Sequence, residues 1–293
     1  MVDVTFWGVR GSTPCPCEAN ARYGGNTACV SIEAEDHDPV ILDLGTGLRF
    51  FGENYSERNA EPLHALALVT HLHWDHVQGL PFFTPLHRLE SRLEVRGRSE
   101  DGTLEDAFEG FMRPPYFPVR ADELGGTIEF VDVADCDFTW GRARVAVRDV
   151  PHGGATNGYR VEIDGVSIAY ISDHQEPIDG GPVPEPVIEL CRDADVVIHD
   201  AQYEPHEFAV KATWGHCTVG FAVRVAAEAG ARQLVLFHHD PSHGDEVVDR
   251  LLREATEAAA GTSLERVVAA YEGLTLRMEP GALPAASPTA LAG

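Results

Sequence analysis

The sequence is poor in basic residues. It has 22 lysines and arginines against 47 aspartates and glutamates, which gives a formal net charge of −25, and Lys211 is its single lysine. A surface this negative repels polyanions, so we do not expect a long nucleic acid as substrate. The arginines within Arg88–Arg98 alternate with glutamates and are typical of a solvated face. Excess acid with almost no lysine also suits a protein adapted to high salt, which is a hypothesis from composition alone.

Membrane segments and cysteine pairs are absent as well. No stretch approaches the roughly 18 consecutive apolar residues of a membrane helix. Met1–Trp7 lacks the basic region of a signal peptide, so we expect a cytoplasmic protein with no membrane partner. The six cysteines form no C-x-x-C pair, which favours ordinary reduced thiols.

The length and composition suit one large domain. The chain has 293 residues, of which 44% are hydrophobic, and no linker or repeat divides it. Apolar runs that alternate with helical patterns predict an α/β fold. We assign residues 1–280 to a single domain and expect residues 281–293, rich in Ala, Pro, Ser and Gly, to be a disordered tail.

Histidine and aspartate are concentrated in one short stretch, which follows the apolar run Leu63–Val69. That run predicts a buried strand, and His71, His73, Asp75 and His76 begin where it ends. Because His71 and His73 are two residues apart, an extended chain points both side chains the same way. A turn after them lets Asp75 and His76 approach the same point. Imidazole and carboxylate ligands suit zinc, and also manganese or iron.

Three later strand predictions also end in residues that can bind metal. His152 follows Ala143–Val150, Asp173 follows a hairpin built around Asp164-Gly165, and His238 follows Leu234–Phe237. Chemistry in α/β proteins lies beyond the carboxyl ends of strands. Taken alone, His152 would more often be a loop histidine and Asp173 a turn residue.

The pattern H-x-H-x-D-H after a strand resembles the signature of the metallo-β-lactamase-fold hydrolases, and the later residues stand where that family has further ligands. The resemblance implies an α/β four-layer αββα sandwich and two divalent metal ions with a water activated between them. Zinc is the metal expected before manganese or iron. Asp43 matches an aspartate that steadies the histidine loop. The implied ligands are His71, His73 and His152 for one ion, Asp75, His76 and His238 for the other, and Asp173 as a bridge.

The last of these ligands has a neighbour that could replace it. His238 is preferred over His239 because the family places its ligand first after the strand.

Within this superfamily the chain is most similar to the ribonuclease Z and cyclic phosphodiesterase branch. Phe6–Ser12 and Leu42–Gly47 resemble its two glycine-containing loops. His199–Gln202 resembles its H-E-A-T segment with Asp for Glu and Gln for Thr, and Gly215–Thr218 resembles its G-H-S-T segment with Cys for Ser. The resemblance implies catalytic roles for three residues: Asp75, His216 as general acid, and Asp200 as the partner that supports His216.

One departure from the branch bears on the substrate. Ribonuclease Z carries a long basic arm between its lone histidine and the bridging aspartate, whereas only Gly153–Ser172 intervene here. We therefore predict a phosphodiesterase that acts on a small, for example cyclic, phosphodiester through the metal-bridging hydroxide. The alternatives are an esterase or lactonase of the same fold, a ribonuclease Z-like RNA endonuclease, or an inactive metal-binding sensor.

The same resemblance gives expectations about partners. Enzymes of this branch are often dimers with partner loops near the site, so a homodimer is expected, with Arg10–Asn26 and Pro114–Val119 as candidate loops. The substrate partner is a small molecule. Aromatic residues that could stack a base are Trp7, Phe82, Tyr116, Tyr203 and Trp214.

Overall fold

The structure is a computed structural model that describes residues 1–283 and 285–288. In chain order the strands are β1 (Val2–Gly8), β2 (Cys29–Ala34), β3 (His37–Leu42), β4 (His64–Leu68), β5 (Arg92–Gly97), β6 (Thr127–Asp132), β7 (Asp137–Trp140), β8 (Ala143–Asp149), β9 (Asn157–Ile163), β10 (Val166–Ile171), β11 (Val196–Asp200), β12 (Gln233–Phe237), β13 (Arg266–Ala269), β14 (Leu274–Met278) and β15 (Ala285–Pro288). The α-helices are α1 (Leu48–Arg58), α2 (Trp74–Val77), α3 (Leu104–Phe111), α4 (Glu185–Cys191), α5 (Pro205–Lys211), α6 (Val219–Glu228) and α7 (Asp245–Ala258). Short 3-10 turns lie at Glu18–Asn20, Leu80–Phe82, Thr84–His87 and Ala121–Glu123.

The strands form two mixed sheets. One has the order β15-β14-β1-β2-β3-β4-β5-β6, and the other has the order β13-β12-β11-β10-β9-β8-β7. Parallel pairing joins β3 through β6 in the first sheet and β10 through β13 in the second. The neighbouring strands β9 and β10 form the hairpin expected around Asp164-Gly165. Parallel strands bring their carboxyl ends to one edge, and that edge carries the residues discussed below.

Three apolar clusters separate four layers of structure. In β4, Leu66 and Leu68 point into the cluster between the two sheets, whereas Ala65 and Ala67 point to the outer cluster beneath α1 and α3. Strand β12 does the same on the other side, where alternate residues meet the central cluster and the cluster beneath α4, α6 and α7. This alternation is the period-2 geometry of a strand that is buried on both faces. The predicted four-layer αββα arrangement of an α/β protein is confirmed.

Several elements were not predicted. Helix α1 has 11 residues, of which Leu48, Phe51 and Gly52 are buried, and all three lie in its first half. Because the second half has no buried residue, the apolar periodicity that would predict this helix is weak. Strands β7 and β14 and helix α5 were missed as well.

The predicted disorder of residues 281–293 does not hold for Ala285–Pro288, which pairs with β14 through backbone hydrogen bonds. Residue composition does not encode such pairing. Residues 281–283 of the expected tail are exposed and belong to no helix or strand, and residue 284 and residues 289–293 lie outside the described residues. The assignment of residues 1–280 to one domain stays a prediction. No helix in residues 1–283 combines the length and the apolar character needed to cross a membrane.

Candidate metal centre

The seven predicted metal ligands lie together at one edge of the two sheets. Each follows a strand that ends there, because the parallel strands on both sides of the central cluster run toward this edge. Their ligand atoms form overlapping groups in which every atom lies within 4.8 Å of the others. The residues are His71, His73, Asp75 and His76 after β4, His152 after β8, Asp173 after β10 and His238 after β12.

We call His71, His73 and His152 the first group. His71 Nε2 lies 2.8 Å from His73 Nδ1, and His152 Nε2 lies 3.2 Å from the same atom. The other nitrogen of His152 donates to the carbonyl oxygen of Gly215 at 2.6 Å, so Nε2 is left with its lone pair facing the group. Burial lowers the pKa of all three histidines, which favours the neutral form that binds metal.

We call Asp75, His76 and His238 the second group. His238 Nε2 lies 3.1 Å from Asp75 Oδ2 and 3.3 Å from His76 Nε2. All three side chains are buried. Burial alone would lower the pKa of His76 and His238, but Asp75 and Asp173 raise both. The pocket therefore attracts positive charge, which is supplied either by imidazolium protons or by a bound cation.

Asp173 lies between the two groups. Its Oδ1 is 3.9 Å from His71 Nε2 and 3.8 Å from His152 Nε2, whereas its Oδ2 is 3.2 Å from His76 Nε2 and 3.5 Å from His238 Nε2. Burial would raise the pKa of this carboxyl, but the surrounding histidines hold that pKa well below its usual range. Oδ2 is buried, and among the described residues it has no well-formed hydrogen bond.

These observations fit a metal centre. Where neutral imidazoles converge, their lone pairs repel one another, and a buried acceptor-only carboxylate oxygen without a donor is costly. A cation resolves both problems. The predicted metal use is confirmed at this level, while the number and identity of the ions stay predictions.

Asp43 connects the histidine loop to the sheet. Its Oδ1 accepts the backbone N–H of Thr70 at 2.8 Å, and its Oδ2 accepts His76 Nδ1 and the Tyr170 hydroxyl, each at 2.8 Å. With Nδ1 occupied as a donor, His76 turns Nε2 toward the second group. These are the contacts that the expected steadying role requires.

Gln202 and Ser12 hold the second group, and sequence reasoning missed both. Gln202 Oε1 accepts His238 Nδ1 at 2.8 Å, and the backbone N–H of Ser12 donates to Asp75 Oδ2 at 2.7 Å. Gln202 had drawn attention as a departure from the family motif, which was the available signal. A backbone donor such as Ser12 leaves no trace in residue type. Ser12 also brings the loop Arg10–Asn26 to the site of its own chain, while the expected role of this loop in a homodimer stays a prediction.

His239 does not join the centre. Its Nε2 donates to the carbonyl oxygen of Ala270 at 2.9 Å, and burial lowers its pKa to about 3. Among the described residues the geometry therefore favours His238, and His239 has a packing role.

His216 and Asp200 form a pair beside Asp173. His216 Nδ1 donates to Asp200 Oδ2 at 3.0 Å and lies 3.6 Å from Asp173 Oδ1. Both members of the pair are buried, and Asp200 also accepts the backbone N–H groups of His174 and Gln202. With Nδ1 occupied, Nε2 is the nitrogen of His216 that can carry a proton to another group.

Comparison with known proteins agrees with this geometry. The family model described as "Beta-lactamase superfamily domain" matches residues 40–239. The protein named Ribonuclease Z of Halobacterium salinarum is 28% identical over 325 residues, which cover 94% of this chain and 96% of that protein. Because this relative is named a ribonuclease, the negative net charge of the chain is weak evidence against a long nucleic acid as substrate.

Solved structures share the fold. Zn²⁺-bound PqqB from Methylobacterium extorquens has a TM-score of 0.70 at 17% identity, covering 94% of this chain and all of that one. The short form of human tRNase Z, ELAC1, has a TM-score of 0.65 at 19% identity, covering 97% of this chain and all of that one. Identities this low support the architecture and leave the substrate open.

Proposed function

Because the chain belongs to the β-lactamase superfamily and is a metal-dependent hydrolase, we propose that it cleaves small phosphodiesters at a centre of two metal ions. The observation that carries the proposal is the His216–Asp200 pair, whose 3.0 Å hydrogen bond lies directly beside Asp173. A phosphodiester has an alkoxide leaving group that needs a proton, and a positioned histidine can supply one. Reactive esters and lactones have less need of such a donor.

The two groups and Asp173 are the residues that would hold the ions. Bound there, two divalent cations would supply Lewis acidity toward the phosphate oxygens and an activated water. Asp173 suits the bridging position because its two oxygens face different groups. Asp75 is proposed both to bind the second ion and to orient the attacking water, and the Ser12 N–H fixes its carboxylate.

His216 would act on the leaving side of the reaction. Its Nδ1 is held by Asp200, so Nε2 donates the proton to the departing oxygen. Buried Asp200 accepts from Nδ1 and so holds the ring with Nε2 directed away from Asp200. The backbone N–H groups of His174 and Gln202 occupy the remaining positions on Asp200 and fix its direction.

A small substrate is favoured by the chain between His152 and Asp173. The β9–β10 hairpin fills this interval, and no arm extends from it to hold a folded RNA. Among small diesters we favour 3′,5′-cyclic nucleotides. Of the five aromatic residues considered for base stacking, Trp7 and Tyr203 are buried and drop out, whereas Phe82, Tyr116 and Trp214 are exposed.

A ribonuclease Z-like endonuclease is the second candidate. It is favoured by the relative named Ribonuclease Z, which matches along nearly the whole chain. An esterase or lactonase remains a third candidate because the same metal centre can activate water toward a carbonyl.

A side-by-side assay of the metal-loaded protein tests the proposal. The substrates are cyclic AMP, cyclic GMP, bis(4-nitrophenyl) phosphate, a simple lactone and a precursor transfer RNA. We expect diester cleavage with little action on the lactone or the RNA. Efficient lactone turnover without diester cleavage would favour the esterase, and site-specific cleavage of the RNA would favour the endonuclease.

A further inference from the structure

A cavity of about 280 Å³ opens beside His71 and His73. It lies between the loop that follows β5 and the loop that follows His152, so it adjoins the first group directly. Its volume is near the lower end of the range for small-molecule pockets, which suits a single ring or a pentose. The residues that line it beyond the histidines include Arg98, Glu100, Asp101, Gly153, Gly154 and Ala155.

The two loops are fixed to each other. Glu100 Oε1 accepts the backbone N–H of Ala155 at 2.7 Å, and Arg98 Nη2 donates to the carbonyl oxygen of Thr156 at 2.9 Å. A Cβ added at Gly154 would lie 2.4 Å from Glu100 Oε1, so glycine permits this close approach. The cavity wall is therefore built by specific contacts that join two segments.

The charges that line the cavity are mainly negative. Arg98 is the one cation among the lining residues, and its guanidinium also donates to Asp149. Glu100 and Asp101 supply two carboxylates, and the hydrogen bond to Ala155 uses one oxygen of Glu100. An ionised carboxylate can accept hydrogen bonds but cannot donate them. Carboxylates at this wall can accept hydrogen bonds from hydroxyl or amino groups, and their charge would repel a second phosphate.

We propose that this cavity binds the uncharged ring of one ester group and selects diesters with a single phosphate. The ring is a pentose or an amino-bearing base, whose hydroxyl or amino groups donate to Glu100 and Asp101. This inference rests on the phosphodiesterase activity proposed above. It narrows the substrate class to nucleoside-like diesters without a further phosphate on the sugar. Repulsion between a second phosphate and these carboxylates lowers kcat/KM by about tenfold or more.

The test uses two nucleoside 3′-(4-nitrophenyl phosphate) diesters, one with a free 5′-hydroxyl and one with a 5′-phosphate. The nitrophenolate leaving group needs no proton, so differences report on binding of the sugar rather than on His216. We expect the wild type to favour the free 5′-hydroxyl by about tenfold or more in kcat/KM. In Glu100→Gln/Asp101→Asn the ratio should fall toward one, mainly through a lower KM for the phosphorylated substrate. The glutamine keeps an acceptor for Ala155.

A matched control removes two charges elsewhere. Glu35 lies in the turn between β2 and β3, and Glu57 lies near the end of α1; both are exposed. The turn that carries Glu35 is at the end of β3 opposite to the site. Glu35→Gln/Glu57→Gln should leave the ratio at its wild-type value. Thermal melting of each variant verifies that it is folded.

Each remaining outcome decides against the cavity. A ratio unchanged in Glu100→Gln/Asp101→Asn, or changed equally in the control, would overturn the proposal and assign the selectivity to net charge. A wild-type preference for the phosphorylated diester would overturn it outright. If the wild type cleaves neither diester nor bis(4-nitrophenyl) phosphate, the proposed phosphodiesterase function fails and this subsite falls with it.

Discussion

The two groups of the metal centre differ in how the protein holds them. In the first group His73 is exposed, and His71 and His73 border an open cavity. In the second group every side chain is buried and has its own support: Asp43 for His76, Gln202 for His238, and the Ser12 N–H for Asp75. Ligands fixed in advance bind a cation at a lower entropic cost. We therefore expect the second group to retain a cation more tightly, and the first group to be the more accessible of the two to a substrate.

The electrostatics point the same way. Burial lowers the pKa of the three histidines in the first group, whereas Asp75 and Asp173 raise the pKa of His76 and His238 despite their burial. The second group therefore has the stronger demand for positive charge. We expect its ion to be bound more tightly, and the predictions below test that asymmetry.

The largest effect is expected from Asp173→Ala, because this carboxylate faces both groups. The wild type should contain close to two transition-metal ions per chain, and the variant should lose most of both together with its activity. Elemental analysis of the purified proteins gives the answer. A wild type with one ion, unaffected by the substitution, would contradict the two-ion centre.

His216→Ala should keep both ions, since His216 belongs to neither group. Its rate on diesters with poor leaving groups should fall on the order of 10²–10⁴-fold because the departing alkoxide then lacks a proton donor. A nitrophenyl diester, whose leaving group needs no proton, serves as the control and should lose much less. Equal losses on both substrates would remove His216 from the proton-donor role.

A pair of glutamines separates the two groups. Gln202 accepts His238 Nδ1, whereas Gln175 accepts the N–H of Gly215, whose carbonyl oxygen holds His152. Gln202→Ala should weaken cation binding at the second group by about 10–100-fold. Gln175→Ala should act on the first group, and by less, because it removes a more distant support.

Chelator competition with each variant shows whether the tightly or the weakly bound ion is released earlier. The asymmetry would be refuted if both variants accelerated loss of the same ion.

The smallest effect is expected from salt. If the charge of −25 is an adaptation to high salt, screening of carboxylate repulsion should raise the melting temperature from low to molar sodium chloride. Sucrose at matched osmolality controls for general preferential exclusion. Retention of the ion at the buried second group should depend on salt less than retention at the first. A melting temperature that stays flat across this range would leave the charge unexplained.

Sequence reasoning selected the residues that now lie together because local spacing marked the histidine cluster and the family resemblance added the later candidates. His71 and His73 share a side of an extended segment, and each later candidate lies within three residues of the end of a strand. The residues that hydrogen-bond to these ligand candidates could largely not be predicted from the sequence. Gln202 lies 36 residues from His238, and the Ser12 donor is a backbone group whose residue type is irrelevant. Helix α1 was not predicted because few of its residues are buried. The strand Ala285–Pro288 was not predicted because its backbone pairing with β14 does not depend on composition.

By itself the sequence determined the metal-binding residue types and the strands that precede them, because these depend on periodicity and on chemistry within a few residues, whereas the class of hydrolase followed from the family that its motifs resemble. The tertiary structure decided what depends on distant contacts. It turned His238 toward the centre and His239 toward the Ala270 carbonyl, although the two histidines are neighbours in the chain. It also joined the loops at Glu100 and Ala155 into a cavity wall. Such choices follow from which strands and loops meet in space, and a local pattern of residues cannot express them.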